Sequence, residues 1–93
     1  MKGGNYMKKM YKFFWDCGRM GKVESVFIAE ENDVKNIIGK EVYFGDILGK
    51  YSEVCGIIEV GDVIEIKVSP ITVEEMEKII GSTISGYNPL AYM

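Results

Sequence analysis

Val42-Tyr43-Phe44-Gly45-Asp46-Ile47-Leu48-Gly49-Lys50-Tyr51-Ser52-Glu53-Val54-Cys55 reads as strand, turn, strand. Aromatic and aliphatic residues lead into a loop bracketed by Gly45 and Gly49, and a second β-rich run follows. Glycine at both bends opens backbone angles closed to other residues. Lys50 and Ser52 come directly after the second bend. The loop is therefore either a plain hairpin turn with a solvated lysine or a place where main-chain amides and a cation hold negative charge. It does not match the GxxxxGK[ST] phosphate loop, because Tyr51 follows Lys50 and a strand is expected where that loop needs a helix; no GxGxxG occurs either.

Upstream, Tyr11, Phe13, Trp15 and Cys17 fall on one face by period-two alternation, opposite Lys12 and Asp16. Gly18-Arg19-Met20-Gly21 makes a tight connection to a second strand over 22–29, so the two runs form a hairpin. Arg19 is the only arginine beside ten lysines. Its planar fork suits a carboxylate or phosphate, with Asp16 and Glu24 as alternative partners inside the chain. Trp15 and Tyr43 are the aromatic candidates for stacking on a ring.

Between these hairpins, acidic residues from Glu30 to Asp33 precede Val34, Ile37 and Ile38 at helical spacing, and Gly39 stands at a helix stop. Strands are expected over 40–44 and 51–58. Val60-Gly61-Asp62 turns the chain into a strand over 63–68, which Pro70 ends. Thr72 with Glu75 has capping-box spacing, Val73, Met76, Ile79 and Ile80 supply a buried stripe, and Gly81 closes the helix. A short strand over 83–85 and an apolar tail follow. Sliding the chain by about forty residues lays Ile37-Ile38-Gly39 over Ile79-Ile80-Gly81, an echo of strand, helix, strand.

Ninety-three residues suffice for one domain with a modest core. Residues 1–7 read as a flexible lead and 8–93 as a single α+β domain, an antiparallel-rich sheet of about five or six strands with two short helices on one face. A net charge of −3 with pI near 4.9 argues against a general nucleic-acid binder. No apolar run reaches the ~20 residues of a membrane span, which points to a cytoplasmic protein. With no histidine and only Cys17 and Cys55, a structural zinc site lacks ligands and a Ser-His or Cys-His nucleophile pair is eliminated; no cofactor is expected.

The phrase from Tyr43 to Val54, with Trp15-Asp16-Cys17-Gly18-Arg19-Met20-Gly21 upstream, resembles small proteins of bacteria and their phages to which no activity is attached. The resemblance spans most of residues 13–60 and transfers no functional residue. It implies a host–virus conflict role, in which a short protein sequesters a partner or a signal molecule.

Three readings follow. The first is a non-catalytic module for a small anionic, nucleotide-like ligand, held by Trp15 or Tyr43, Arg19 or Lys50, the amides at Gly45 and Gly49, and Ser52. A strand-by-strand trace puts the Arg19 turn and the Gly45–Gly49 turn at opposite ends of one sheet, roughly 20 Å apart for six-residue strands. One site then requires two subunits, and the apolar tail also suggests a homo-oligomer. The second reading is a protein–protein inhibitor module that uses Tyr11, Phe13, Trp15 and the tail. The third is a small metal-assisted hydrolase using Asp46 and neighbouring carboxylates; the run Glu74, Glu75 and Glu77 is better explained as the polar face and first turn of a helix.

Overall fold

A computed structural model describes residues 8–51 and 53–92. The chain is α+β, and its described residues form two helices and six strands in antiparallel pairs. The alternating aromatic run forms β1 (Lys8–Asp16), and its partner is β2 (Lys22–Glu30), in an uninterrupted register from Lys8 opposite Glu30 to Asp16 opposite Lys22. A single 3-10 turn, Gly18–Met20, joins them. Helix α1 (Glu31–Ile37) follows, then β3 (Glu41–Gly45) and β4 (Val54–Ile57). The chain continues through β5 (Val63–Ile66), α2 (Pro70–Ile79) and β6 (Thr83–Gly86) to a last 3-10 turn, Pro89–Tyr92.

The six strands do not share one sheet. Four make a sheet in the order β5-β1-β2-β6, and β3 and β4 pair only with each other. The physical reason lies in the aromatic face. Tyr11, Phe13, Val23, Phe27 and Ala29 present more apolar surface than the seven residues of α1 can cover. Val42, Phe44, Val54 and Ile58 therefore pack onto that face as a second layer, each of them buried. Removing Phe13 and Phe27 wholly from water stabilises by roughly 1.5–3 kcal/mol each, together more than the roughly 1–3 kcal/mol that two extra edge hydrogen bonds would contribute.

Nor do the helices share a face. Val34 and Ile37 of α1 join the aromatic cluster, whereas Val73 of α2 packs with Met10 and Ile28, whose side chains point to the other side of the sheet. The capping box also moves. Ser69 is the N-cap, its Oγ accepting from the Thr72 N–H at 3.2 Å, and Pro70 occupies the first turn, where its missing N–H costs nothing. With the helix starting three residues earlier, Val73 is buried and Met76 half-buried, while Ile79 and Ile80 are exposed instead of completing the stripe. Strand β4 begins at Val54, so Tyr51 and Glu53 belong to the loop.

One contact ties the two sheets together. The Trp15 ring lies on Gly56 of β4, where a Cβ would come within 3.3 Å of it. The indole Nε1–H donates to Asp62 Oδ2 at 2.9 Å, and the same oxygen accepts from the Glu59 N–H at 2.8 Å. Gly56→Val is therefore expected to lift the indole off β4 and to destabilise the fold by about 1–3 kcal/mol. Urea unfolding measures the loss, and red-shifted emission from Trp15, the only tryptophan, locates it.

Candidate functional site

The turn at Arg19 and the loop from Gly45 to Gly49 are neighbours. A Cβ on Gly21 would sit 3.9 Å from the Leu48 side chain, and both Cys17 and Leu48 pack against the main core cluster. The opposite-ends trace is thus corrected. It assumed one continuous sheet, but β3 and β4 lie across the sheet's face, so their loop is free to reach the β1–β2 turn. One protomer holds both bends.

Glycine is needed at these bends for its backbone. Gly45 has φ +77° where the β3–β4 ladder slips register, and Gly21 has φ +117° where its N–H closes the 3-10 turn onto the Gly18 carbonyl at 3.1 Å. The loop's own closing bond, from the Gly49 N–H to the Asp46 carbonyl, is 3.4 Å. Tyr51 is the one described non-glycine residue at positive φ, +67°, and is 86% exposed. A bulky residue in that conformation stores strain of order 1–2 kcal/mol.

The cations at this end are Arg19, Lys22 and Lys50. Arg19 is exposed and joins no ion pair among the described residues, because Asp16 accepts from the Gly18 N–H and Glu24 faces Lys12. Lys50 Nζ stands 5.3 Å from the Tyr51 ring centroid, and Lys22 Nζ 5.9 Å from that of Phe14, with no carboxylate pair for either among the described residues. Lys9, Lys12, Lys35 and Lys67, by contrast, each pair with a glutamate.

Tyr43 is exposed, with its ring near Gly45. Local desolvation first, then the neighbouring Glu53 carboxylate, raises its phenol above the ordinary pKa of 10. Trp15 is placed differently. Its ring is half-buried against Phe13 and edge-on to Phe44, at centroid distances of 5.1 and 5.7 Å. Ser52 lies outside the described residues. Among the remaining carboxylates, Glu77 is tied to Lys8, and no group of three or more Cys, Asp or Glu among the described residues is arranged to hold a metal ion.

Tyr51 is the residue that sequence reasoning passed over. Its signal was available as an aromatic two residues past the second loop glycine, but the expectation that the strand began at residue 51 hid it. Cys17 and Cys55 are free thiols, Cys17 half-buried and Cys55 exposed. Burial, then Asp16, raises the Cys17 pKa, so it is held as the protonated thiol.

No protein-family model matches the chain, nor does any curated protein or solved structure. No described helix is long and apolar enough to cross a membrane.

Because the folded state favours the neutral Tyr43 phenol, its contribution to stability is complete below pH 10 and is lost as pH rises through the folded value. An absorbance titration of the wild type minus Tyr43→Phe should give a phenolate midpoint above 10. Glu53→Gln should lower it.

Proposed function

We propose that the protein is a non-catalytic binding module for a small anionic, nucleotide-like ligand, seated where the two glycine bends meet. The supporting observation is the approach of Leu48 to within 3.9 Å of where a Gly21 Cβ would stand, which brings the turn bearing Arg19 and Lys22 and the loop bearing Lys50 together in a single protomer. Charge-assisted hydrogen bonds from these cations, with main-chain amides at the bends, supply the affinity for oxygen anions. Tyr51 and Tyr43, both exposed, are the stacking surfaces in place of Trp15. Ser52 remains a proposed contact through its place in the loop sequence. The Asp46 and Glu53 carboxylates limit how much negative charge the site accepts near Tyr43, which favours a ligand with one or two phosphates over a triphosphate.

The resemblance to small phage and bacterial proteins makes sequestration of a host signal nucleotide in the cytoplasm the biological form of this reading. An inhibitor module that binds a host protein is the second reading. Exposed Ile64, Ile71 and Ile79 favour it, and these residues would also serve a homodimer. Tyr11 and Phe13 are interior, so that contact surface would lie on the α2 side of the sheet.

Melting the protein with and without mono-, di- and cyclic nucleotides tests the first reading. A ligand at a hundred times its Kd stabilises the native state by about 2.7 kcal/mol, a clear rise in Tm. Arg19→Ala and Lys50→Ala should each weaken that binding about tenfold or more while leaving the unliganded Tm near its original value. Unchanged melting with every nucleotide at millimolar concentration refutes the reading.

A further inference from the structure

We propose that the groove between β1 and β4 receives an extended, Lys- or Arg-bearing segment of a partner protein as an added strand. This surface is separate from the anion site and does not rest on it. The groove has a volume of about 460 Å³ and is lined by Phe14, Trp15 and Asp16 on one side and by Cys55, Ile57 and Glu59 on the other, with Asp62 at its end.

Both walls are open strand edges. Strand β5 pairs with β1 only from Met10 to Phe13, and the last bond on that side runs from the Phe14 N–H to the Asp62 carbonyl at 3.0 Å. Main-chain groups of alternate residues point the same way in an antiparallel ladder. The Phe14 carbonyl and both backbone groups of Asp16 therefore face outward, past the end of β5. Strand β4 pairs with β3 alone, and Ile58 directs its N–H to Lys40 and its carbonyl to Gly39 on that side. By the same alternation, Cys55 and Ile57 turn their backbone groups to the free edge. An unpaired edge is a template for another strand, and here two of them border one cleft.

Charge selects the occupant. Asp16, Glu59 and Asp62 line the groove, and none of its lining residues is basic. Asp62 accepts the Trp15 and Glu59 N–H groups and Asp16 accepts the Gly18 N–H, all from neutral donors, and none of the three carboxylates joins an ion pair among the described residues. Lys22, opposite Asp16 in the β1–β2 register, leans over the Phe14 ring instead. An added strand alternates its side chains between two directions. Phe14 and Asp16 share one face of β1, and Ile57 precedes Glu59 by two residues, so on each side of the added strand a cation meets a carboxylate beside an exposed apolar residue, Phe14 at 37% and Ile57 at 53%.

Trp15 reports on this groove. A short peptide of Lys-Lys-Val-Val repeats is expected to change its emission and to form a one-to-one complex in native mass spectra, whereas the Glu-Glu-Val-Val counterpart does neither. Methylating the peptide's backbone nitrogens, or combining Asp16→Asn with Glu59→Gln, should weaken binding about tenfold or more. Glu74→Gln with Glu75→Gln removes equal charge from α2 and should leave binding intact, as should Arg19→Ala, which disables only the anion site. Unaltered emission with no complex overturns the proposal. So does equal binding by the methylated peptide, or an equal loss in the α2 variant, which would mean bulk attraction to an acidic protein. A dimer of the protein alone that the Asp16 and Glu59 substitutions abolish would give the groove to a second copy, and would also overturn it.

Discussion

The seating of Trp15 on Gly56 is the contact on which the rest of the architecture depends. Without packing of this kind, β3 and β4 would be an isolated two-stranded ribbon, and such a ribbon has little stability of its own in water. With it, an indole from β1 spans the gap between the sheets, and Asp62 fixes its orientation through Nε1. Asp62 also closes the turn that returns the chain to β5, through the Glu59 N–H and through its own carbonyl to Phe14. One carboxylate thus couples the position of the second layer to the registry of the four-stranded sheet.

The layered arrangement explains why the two bends meet. A hairpin within the plane of one sheet would carry its loop to the far end from the β1–β2 turn. A hairpin lying over that sheet's aromatic face has its direction set by side-chain packing, here by Phe44 against Phe13 and Trp15, with Tyr92 at 4.8 Å closing the outer side of Phe44. Leu48 then comes to rest beside Gly21, and cations distant in sequence share one end of the molecule. The same layering leaves the β1 and β4 edges facing each other across a cleft, because strands in different sheets cannot exchange ladder hydrogen bonds.

Most of the secondary structure was legible from local patterns. The alternation of Tyr11, Phe13 and Trp15 specifies β1, Gly18 to Gly21 specify the turn, and Val34 with Ile37 specifies the inner side of α1. Boundaries were legible only where capping chemistry was unambiguous. Thr72 with Glu75 imitates a capping box, yet Ser69 ahead of Pro70 is the stronger start, since proline is preorganised for the first helical turn. The repeated Ile-Ile-Gly misled as to burial: Ile37 lies under the second layer, whereas Ile79 has no layer above it and stays 79% exposed.

What the sequence determined by itself is the set of elements, the α+β class and the glycines and cations at the two bends, because all of these follow from neighbours a few positions apart. Tertiary structure alone decided that β3 and β4 form a separate layer, that the helices lie on opposite faces, and that Arg19 and Lys50 belong to one end. Those outcomes depend on how much apolar surface each face must hide, a quantity summed over residues as distant as Tyr11 and Ile58. The echo between the halves shows the limit most clearly. After α2 the chain returns to the main sheet as β6 beside β2, while after α1 a similar run leaves it as β3, since the aromatic face still had to be covered.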